Sequence, residues 1–252
     1  MLAKIKSSAV VGVDALPVTV EVDISYGLPA FSTVGLAEGA VRESRERVKA
    51  AIKNSGYEFP NRRITVNLAP ADIKKEGAGY DLPMALGILT ASEVIKSDKL
   101  EKFGIIGELS LDGSIRPAKG ILPMAIAAQK CGLEGILVPV ANAEEAAVVS
   151  GIQIIGIKTL YEAVEFLVGT MELPSTALDL HSVFNDNANY RVDFDEVKGQ
   201  EHVKRAMEIA AAGGHNILMK GPPGSGKTMI ARRLPTILPE LTFEEALETT
   251  KI

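Results

Sequence analysis

Eight consecutive residues, GPPGSGKT, combine three glycines with two hydroxyl side chains and a lysine. They are Gly221, Pro222, Pro223, Gly224, Ser225, Gly226, Lys227 and Thr228, and they fit the pattern G-x-x-x-x-G-K-[ST]. Glycines let such a loop curve until its amide N–H groups converge on an anion. The Lys227 ammonium would reach the β and γ oxygens of a nucleoside triphosphate, and the Thr228 hydroxyl would bind Mg²⁺. The run therefore predicts ATP and Mg²⁺ as ligands, and its alternative interpretation is an ordinary glycine-rich turn.

A loop of this kind needs a strand before it and a helix after it. NILMK, Asn216–Lys220, predicts the strand, and TMIARRL predicts a helix that begins near Lys227 and directs its positive end at the phosphates. Hydrolysis also needs an apolar strand that ends in acidic residues, and the 24 residues after Thr228 contain none. Because this Walker B strand is lacking, we expect the chain alone not to hydrolyse ATP, and robust turnover would refute that expectation.

Composition excludes several classes of protein. The 252 residues are 46% hydrophobic, which is enough for a large core, and the net charge of −5 shows no global basic excess that would indicate nucleic acid. The single cysteine, Cys131, excludes an internal disulfide and a multi-cysteine zinc site. No apolar run approaches the roughly 18 residues that cross a bilayer, and the N-terminus has no signal-peptide core. We therefore expect a cytoplasmic protein without a membrane partner.

Alternating strand-like and helix-like runs predict an α/β fold for the larger part of the chain. LPVTVEVDIS predicts a half-buried strand that pairs antiparallel with AKIKSSAVVGV, and RITVNL predicts another strand. Helices are predicted over Glu38–Asn54 and Leu82–Ile95. After Gly169 the sequence loses both the helix and the strand periodicity and becomes rich in Asn, Asp, Ser and Thr. We therefore predict a first domain over 1–169, a linker over 170–191 and a second unit over 192–252.

Longer stretches resemble a known family. VDFDEVKGQEHVKRAMEIAAAGGHNILMKGPPGSGKTMIARRLPTILPEL is similar to the start of the AAA+ module in magnesium-chelatase-like ATPases of the ComM or YifB type. VEVDISYGLPAFSTVGLAEGAVRESRERVKAAIKNSG and ITVNLAPADIKKEGAGYDLPMALGIL match the same family. The resemblance implies a bacterial cytoplasmic protein whose complete form is a homo-oligomeric ring, expected to be a hexamer, that binds ATP and Mg²⁺ and acts on DNA. In the competence branch, it implies ATP-driven branch migration during recombination.

The first domain also resembles the proteolytic domain of Lon-type proteases, which use a serine nucleophile and a lysine base. KKEGAGYDLPMALGIL and GELSLDGSIRPAKGILPMAIAAQKCGLEGILVP match that pattern, with the serine position on Gly79 and the lysine position on Leu122. Acyl transfer has no route without the hydroxyl and the amine. The resemblance therefore implies a Lon-protease-like, ribosomal-protein-type α/β domain that has lost its protease, followed by a truncated P-loop AAA+ segment.

Two other functions stay open at this point. One is an ATP-dependent Ser/Lys protease, which Gly79 and Leu122 disfavour. The other is a motor subunit resembling that of magnesium chelatase, whose ATPase serves a metal-inserting partner. The chelatase motor subunits lack a Lon-like domain, which disfavours this second alternative.

Local charge offers one candidate surface for DNA. Residues 42–76 contain nine Lys and Arg against five acidic residues. Arg42, Arg45 and Lys49 are spaced to share one helix face, which could follow a phosphate backbone. The alternative is an ordinary solvated helix whose arginines pair with neighbouring glutamates.

Three carboxylates, Asp72, Glu76 and Asp81, flank a glycine-rich turn before the second predicted helix. Together they could suggest a metal site. Carboxylates in loops are far more often solvated than buried, so we expect all three to be exposed to water.

Overall fold

The computed structural model describes residues 1–35, 39–75, 77–178, 192–239 and 241–250. The chain divides into two compact units, Met1–Leu178 and Asp179–Thr250. Residues 179–191 of the predicted linker lie outside the described residues, so the boundaries at 169 and 191 stay a prediction. Each unit is described by itself.

A seven-stranded sheet forms the centre of the first unit, in the order β3-β4-β2-β1-β5-β8-β9. Four of the six pairings in this sheet are parallel, and helices follow several of its strands, so the predicted α/β class is confirmed. A separate hairpin, β6–β7, lies outside it. The strands are β1 Leu2–Val11, β2 Asp14–Ser25, β3 Ala30–Val34, β4 Arg63–Ala69, β5 Phe103–Ile105, β6 Glu108–Leu109, β7 Ile115–Arg116, β8 Gly135–Pro139 and β9 Gln153–Ile157.

The antiparallel pair β1–β2 has the register that the apolar alternation requires. Val18, Val20, Val22 and Ile24 are buried, whereas the residues between them are partly exposed, because successive side chains of a strand point to opposite faces. Ile5 of β1 lies opposite Val20 and is fully buried. The predicted hairpin and the predicted strand β4 are both confirmed.

Six helices accompany the sheet in the described part of the first unit. Helix α2 is buried along nearly its whole length, and its Gly87 lies against β2, where an added Cβ would come within 2.6 Å of Val22 Cγ2. The helices are α1 Gly39–Asn54, α2 Asp81–Ala91, α3 Lys99–Lys102, α4 Ile121–Lys130, α5 Ala143–Ala147 and α6 Leu160–Val168. The predicted first residue of α1, Glu38, lies outside the described residues.

Helix α2 ends four residues earlier than the sequence predicts. The Ser92 hydroxyl donates a hydrogen bond back to the Ile88 carbonyl at 2.7 Å, and Glu93 then adopts the left-handed conformation at φ 63°. A left-handed residue at this place ends a helix. The sequence predicts a longer helix because apolar residues continue to Ile95.

The second unit contains short helices around a small apolar cluster. Helix α7 spans Glu201–Gly213, α8 spans Lys227–Ala231 and α9 spans Phe243–Thr250, with single 3₁₀ turns at Phe194–Glu196 and Leu234–Thr236. The buried side chains of the cluster are those of Phe194, Val197, Met207 and Ile230.

The predicted strand at Asn216–Lys220 is wrong, because these residues have no regular structure. Leu218 is 93% exposed, and the described part of this unit offers no strand to pair with. A strand satisfies its backbone N–H and C=O groups only through a neighbouring strand. An apolar run without that neighbour therefore stays irregular.

Candidate functional site

Two glycines shape the loop between Asn216–Lys220 and α8. Gly224 and Gly226 have φ angles of 79° and 83°, in the left-handed region that favours glycine. The Ser225 amide donates to the Pro222 carbonyl at 3.4 Å and closes a turn between them. The loop therefore curves where the sequence predicts, although Gly221 does not need the left-handed conformation.

The Lys227 ammonium lies inside this curve. Its Nζ donates to the carbonyl oxygens of Gly221 and Pro222, each at 2.8 Å, and to Ser225 Oγ at 3.2 Å. An ammonium has three donors, and all three are aimed at oxygen atoms of the loop. Phosphate oxygens are stronger acceptors for the same donors because they carry charge. The residues present therefore fit the phosphates of a nucleotide.

Helix α8 carries the remaining predicted residue of the loop. Gly226 precedes the first helical residue, Lys227, and Thr228 follows in the first turn with an exposed side chain. Ile230, only 1% exposed, fixes the helix on the apolar cluster of its unit. The predicted helix after the loop is confirmed, but it ends at Ala231 and does not continue through Arg232 and Arg233.

Gln200, which sequence reasoning did not identify, and Arg233, to which it assigned no definite role, stabilise the loop and the helix that follows it. Gln200 adopts a left-handed conformation at φ 57°, and its side-chain amide donates to the Ser225 carbonyl at 3.3 Å. Arg233 donates to the carbonyls of Asp193 and Met229 and pairs with Glu196. The contacts with Ser225, Glu196 and Asp193 span 25 to 40 residues of sequence, so no local periodicity could have indicated them.

The two positions predicted to correspond to the Lon-type dyad lie in different surroundings. Gly79 is partly buried, and its carbonyl accepts a hydrogen bond from the Gly107 amide at 3.0 Å. Leu122 is only 4% exposed, in the first turn of α4. Neither position supplies a hydroxyl or an amine.

A carboxylate caps the helix that carries Leu122. Glu145 Oε1 accepts from the Leu122 amide at 3.1 Å, and Glu145 Oε2 accepts from Asn142 at 2.9 Å. Asn142 also exchanges two hydrogen bonds with the backbone of Ala118, at 3.0 and 3.1 Å. The turn before α4 is thus held by structural hydrogen bonds.

Asp81 is fully buried, so the prediction that it is solvated is wrong. Arg47 of α1 binds both of its carboxylate oxygens, at 2.7 and 3.2 Å, and the Leu109 amide donates to Oδ2 at 3.4 Å. Burial raises the pKa of Asp81 to about 6, although the hydrogen bond and the charge of Arg47 act in the opposite direction. Asp72 is exposed, as predicted, and Glu76 lies outside the described residues.

The proposed DNA face of α1 is only partly described. Arg45 is exposed, with its Nε 3.4 Å from the Glu46 carboxylate, and Lys49 is partly buried. The side chain of Arg42 lies outside the described residues. An exposed pair of this kind contributes little to stability, so Arg45 is free to exchange its partner.

Membrane-spanning helices and clusters of metal-binding side chains are both absent from the described ranges. No helix there combines the length and the apolar character needed to cross a bilayer. Nor do His, Cys, Asp or Glu side chains of those ranges form groups of three or more that could hold a metal ion.

Family models match both parts of the chain. Residues 20–142 match the model described as subunit ChlI of Mg-chelatase, and residues 193–252 match the model described as magnesium chelatase, subunit ChlI. The second match includes the whole loop from Gly221 to Thr228.

Several curated proteins are similar along the entire chain. Competence protein ComM of Haemophilus influenzae is 45% identical over 252 residues, and YifB of Salmonella typhimurium is 46% identical over 253 residues. Each match covers 100% of this chain and 49% of the relative, so the chain spans about half the length of these relatives. Lon protease 2 of Bacillus subtilis is 29% identical over 131 residues, which cover 52% of this chain and 22% of that protease.

Proposed function

Since this chain belongs to the magnesium-chelatase-like proteins of the ComM/YifB type, we propose that it binds ATP and Mg²⁺ through Gly221–Thr228 as part of an AAA+ ring motor that acts on DNA. Lys227 would bind the β and γ phosphates, and the loop amides would surround them. The Thr228 hydroxyl would hold Mg²⁺, which neutralises phosphate charge.

The position of the Lys227 ammonium carries this proposal. It lies within hydrogen-bonding distance of three loop oxygens from Gly221, Pro222 and Ser225. A bound triphosphate would replace these oxygens with charged acceptors, and hydrogen bonds to charged groups are the stronger kind. The same ammonium would thus exchange neutral partners for anionic ones without leaving the loop.

A nucleotide titration tests the proposal. Calorimetry would measure MgATP binding to the chain and to Lys227→Ala, with Lys220→Ala as a matched control because Lys220 is exposed and immediately precedes the loop. We expect Lys227→Ala to weaken binding about ten- to a hundredfold and Lys220→Ala to leave it nearly unchanged. Equal losses in both variants would contradict a specific role for Lys227.

The first unit is proposed to be a Lon-like accessory domain without peptidase activity. Gly79 and Leu122 stand where Lon-type proteases have their serine and lysine, so the nucleophile and the base are both missing. Its similarity to Lon protease 2 supports the fold alone. Cleavage of an unstructured peptide by the purified chain would contradict this assignment and favour a protease.

The DNA role is proposed for the whole protein. One relative carries the name competence protein, and we propose that the whole protein is a cytoplasmic hexameric ring that moves DNA branches during recombination. Arg42, Arg45 and Lys49 are the proposed backbone contacts. Reversal of all three charges to Glu should weaken DNA binding and reduce its salt dependence, whereas unchanged affinity would remove this face from the proposal.

A metal-chelatase motor is the second candidate, because both family models describe a magnesium-chelatase subunit. The two functions differ in what stimulates ATP consumption. In a relative of this chain that is measured at its full length, we expect DNA to raise the rate of ATP consumption. Stimulation by a chelatase partner, with no response to DNA, would favour the second candidate.

A further inference from the structure

The turn between β2 and β3 crosses the first residue of β4. Arg63 pairs with Ser25, the last residue of β2, and with Ala30, the first residue of β3. The four residues that join these strands, 26–29, therefore lie beside Arg62 and Arg63. This arrangement follows from one antiparallel and one parallel pairing on the two sides of β4.

Two large apolar side chains of this turn are almost fully exposed. Tyr26 is 88% exposed and Leu28 is 89% exposed. The guanidinium carbon of Arg62 lies 4.8 Å from the centroid of the Tyr26 ring, the distance of a cation–π contact. The arginine thus holds the ring in place while leaving most of its surface accessible.

The same place carries two positive charges, those of Arg62 and Arg63. Neither Arg62 nor Arg63 forms an ion pair with a carboxylate among the residues that the structure describes. The adjoining sequence, residues 24–35 and 59–71, contains no Asp or Glu, although the chain as a whole has a net charge of −5. Two unneutralised arginines beside an exposed aromatic ring suit a polyanion that carries flat rings.

We propose that Tyr26, Leu28, Arg62 and Arg63, which we call the arginine–tyrosine corner, bind unpaired bases of single-stranded DNA. A base stacks on the Tyr26 ring, with Leu28 beside it, and the two arginines contact the flanking phosphates. This inference rests on the proposed DNA role and names a site for it away from Arg42, Arg45 and Lys49.

The neighbouring sheet surface is consistent with this occupant. Thr65 and Asn67 continue along β4 from Arg63 with partly exposed side chains, and the Ser32 hydroxyl lies 3.4 Å from that of Thr65. Asn67 donates to the Glu21 carboxylate of β2 at 2.9 Å, so the uncharged groups nearest the corner that can bond a nucleotide are the Ser32 and Thr65 hydroxyls. Tyrosine and arginine also occur at protein interfaces, but two arginines without an ion pair to any described carboxylate favour a polyanion as the partner.

The absence of tryptophan from the sequence allows a direct probe. Tyr26→Trp introduces a single indole at the corner, and bases that stack on an indole quench its fluorescence. Tyr161→Trp is the matched control, because Tyr161 is 50% exposed on α6. We expect a dT oligonucleotide of about 30 nucleotides to quench the indole at position 26 and to leave that at position 161 nearly unchanged.

Fluorescence anisotropy with the same oligonucleotide measures the contribution to affinity. We expect Tyr26→Ala to weaken binding about five- to a hundredfold and Tyr26→Phe, which keeps the ring, to bind like the original chain. An oligonucleotide of abasic residues should bind the chain and Tyr26→Ala equally, because it has no base to stack.

Each other outcome has a distinct meaning. If the chain binds the dT oligonucleotide and Tyr26→Ala binds equally well, the corner is contradicted while the DNA role stands. If the chain binds no single-stranded DNA, the corner is contradicted; titration with duplex and branched DNA then tests the DNA role, and MgATP titration still tests the loop separately. If Tyr26→Ala changes only the sedimentation behaviour of the chain, the corner is a protein interface and our inference is wrong.

Discussion

Arg47 donates two hydrogen bonds to the Asp81 carboxylate, from Nε to Oδ2 at 2.7 Å and from Nη2 to Oδ1 at 3.2 Å. The pair joins α1 to the first residue of α2, two positions after Gly79. Asp81 is fully buried, whereas the Arg47 side chain is 26% exposed. The geometry is bidentate, which fixes direction as well as distance. This contact therefore holds the turn at which a Lon-type nucleophile would stand.

Removal of Arg47 should strongly destabilise the first unit. Arg47→Met keeps much of the side-chain volume but leaves the Asp81 carboxylate buried without its cation, a change that costs about 3–5 kcal/mol. Urea unfolding would measure the loss. Arg45→Met is the control, and we expect about 0.5 kcal/mol or less because its pair with Glu46 is exposed. Similar losses in both variants would contradict a special role for the buried pair.

The raised pKa of Asp81 predicts a pH dependence of stability. An acid whose pKa is higher in the folded state than in the unfolded state contributes stability at low pH, and this contribution is lost as the pH rises through the folded value, here about 6. In Asp81→Asn the side chain does not titrate, so this variant does not lose stability from this group as the pH rises. The difference in unfolding free energy between the original chain and Asp81→Asn should therefore fall by about 2 kcal/mol between about pH 4 and pH 7. Parallel pH curves would show that Asp81 has an ordinary pKa.

Gly87→Ala should destabilise the chain although alanine favours helices. The new Cβ would lie 2.6 Å from Val22 Cγ2, so α2 and β2 must separate or repack. Overpacking of this kind costs about 1–3 kcal/mol. Val22→Ala removes the opposing methyl groups, so Gly87→Ala should cost less in the Val22→Ala background than in the original chain. Thermal unfolding of the four proteins would measure the coupling, and strict additivity would contradict the contact.

Gly79 and Leu122, the positions predicted to correspond to the Lon-type dyad, should respond differently to introduction of a serine and a lysine. Among the described residues, a Cβ at Gly79 meets only Ile106 Cγ2, at 3.6 Å, an ordinary contact, so Gly79→Ser should change stability by less than about 1 kcal/mol. Leu122→Lys places an ammonium at a buried site and should cost several kcal/mol, on the order of 3 or more. Chemical denaturation would compare them. Equal stability of the two variants would show that the Leu122 site is open to water.

The first strands of the chain were predictable because the alternation of apolar residues that indicates them is local. Alternation of Val18, Val20, Val22 and Ile24 predicts β2, and the structure confirms both the strand and its antiparallel partner. The strand predicted at Asn216–Lys220 failed because an apolar run specifies a strand only where a neighbouring strand exists. Sequence periodicity contains no information about that neighbour.

The loop was predictable from the sequence, whereas the buried Arg47–Asp81 pair was not. The residue types of Gly221–Thr228 indicate the curve and the direction of Lys227, since glycine and lysine act within eight residues. The partner of Asp81 lies 34 residues away on another helix, and the arginine–tyrosine corner joins residues that are 36 positions apart. Such contacts depend on how strands and helices pack, which the local pattern does not contain.

The most direct test of the loop is a comparison of ATP, ADP, AMP and adenosine as ligands of the chain, with Mg²⁺ present. If Lys227 and the loop amides bind the β and γ phosphates, the affinity measured by calorimetry should fall in that order, with the largest loss when the β phosphate is removed. AMP or adenosine binding as tightly as ATP would contradict the account, because the binding energy would then come from the nucleoside and not from the loop.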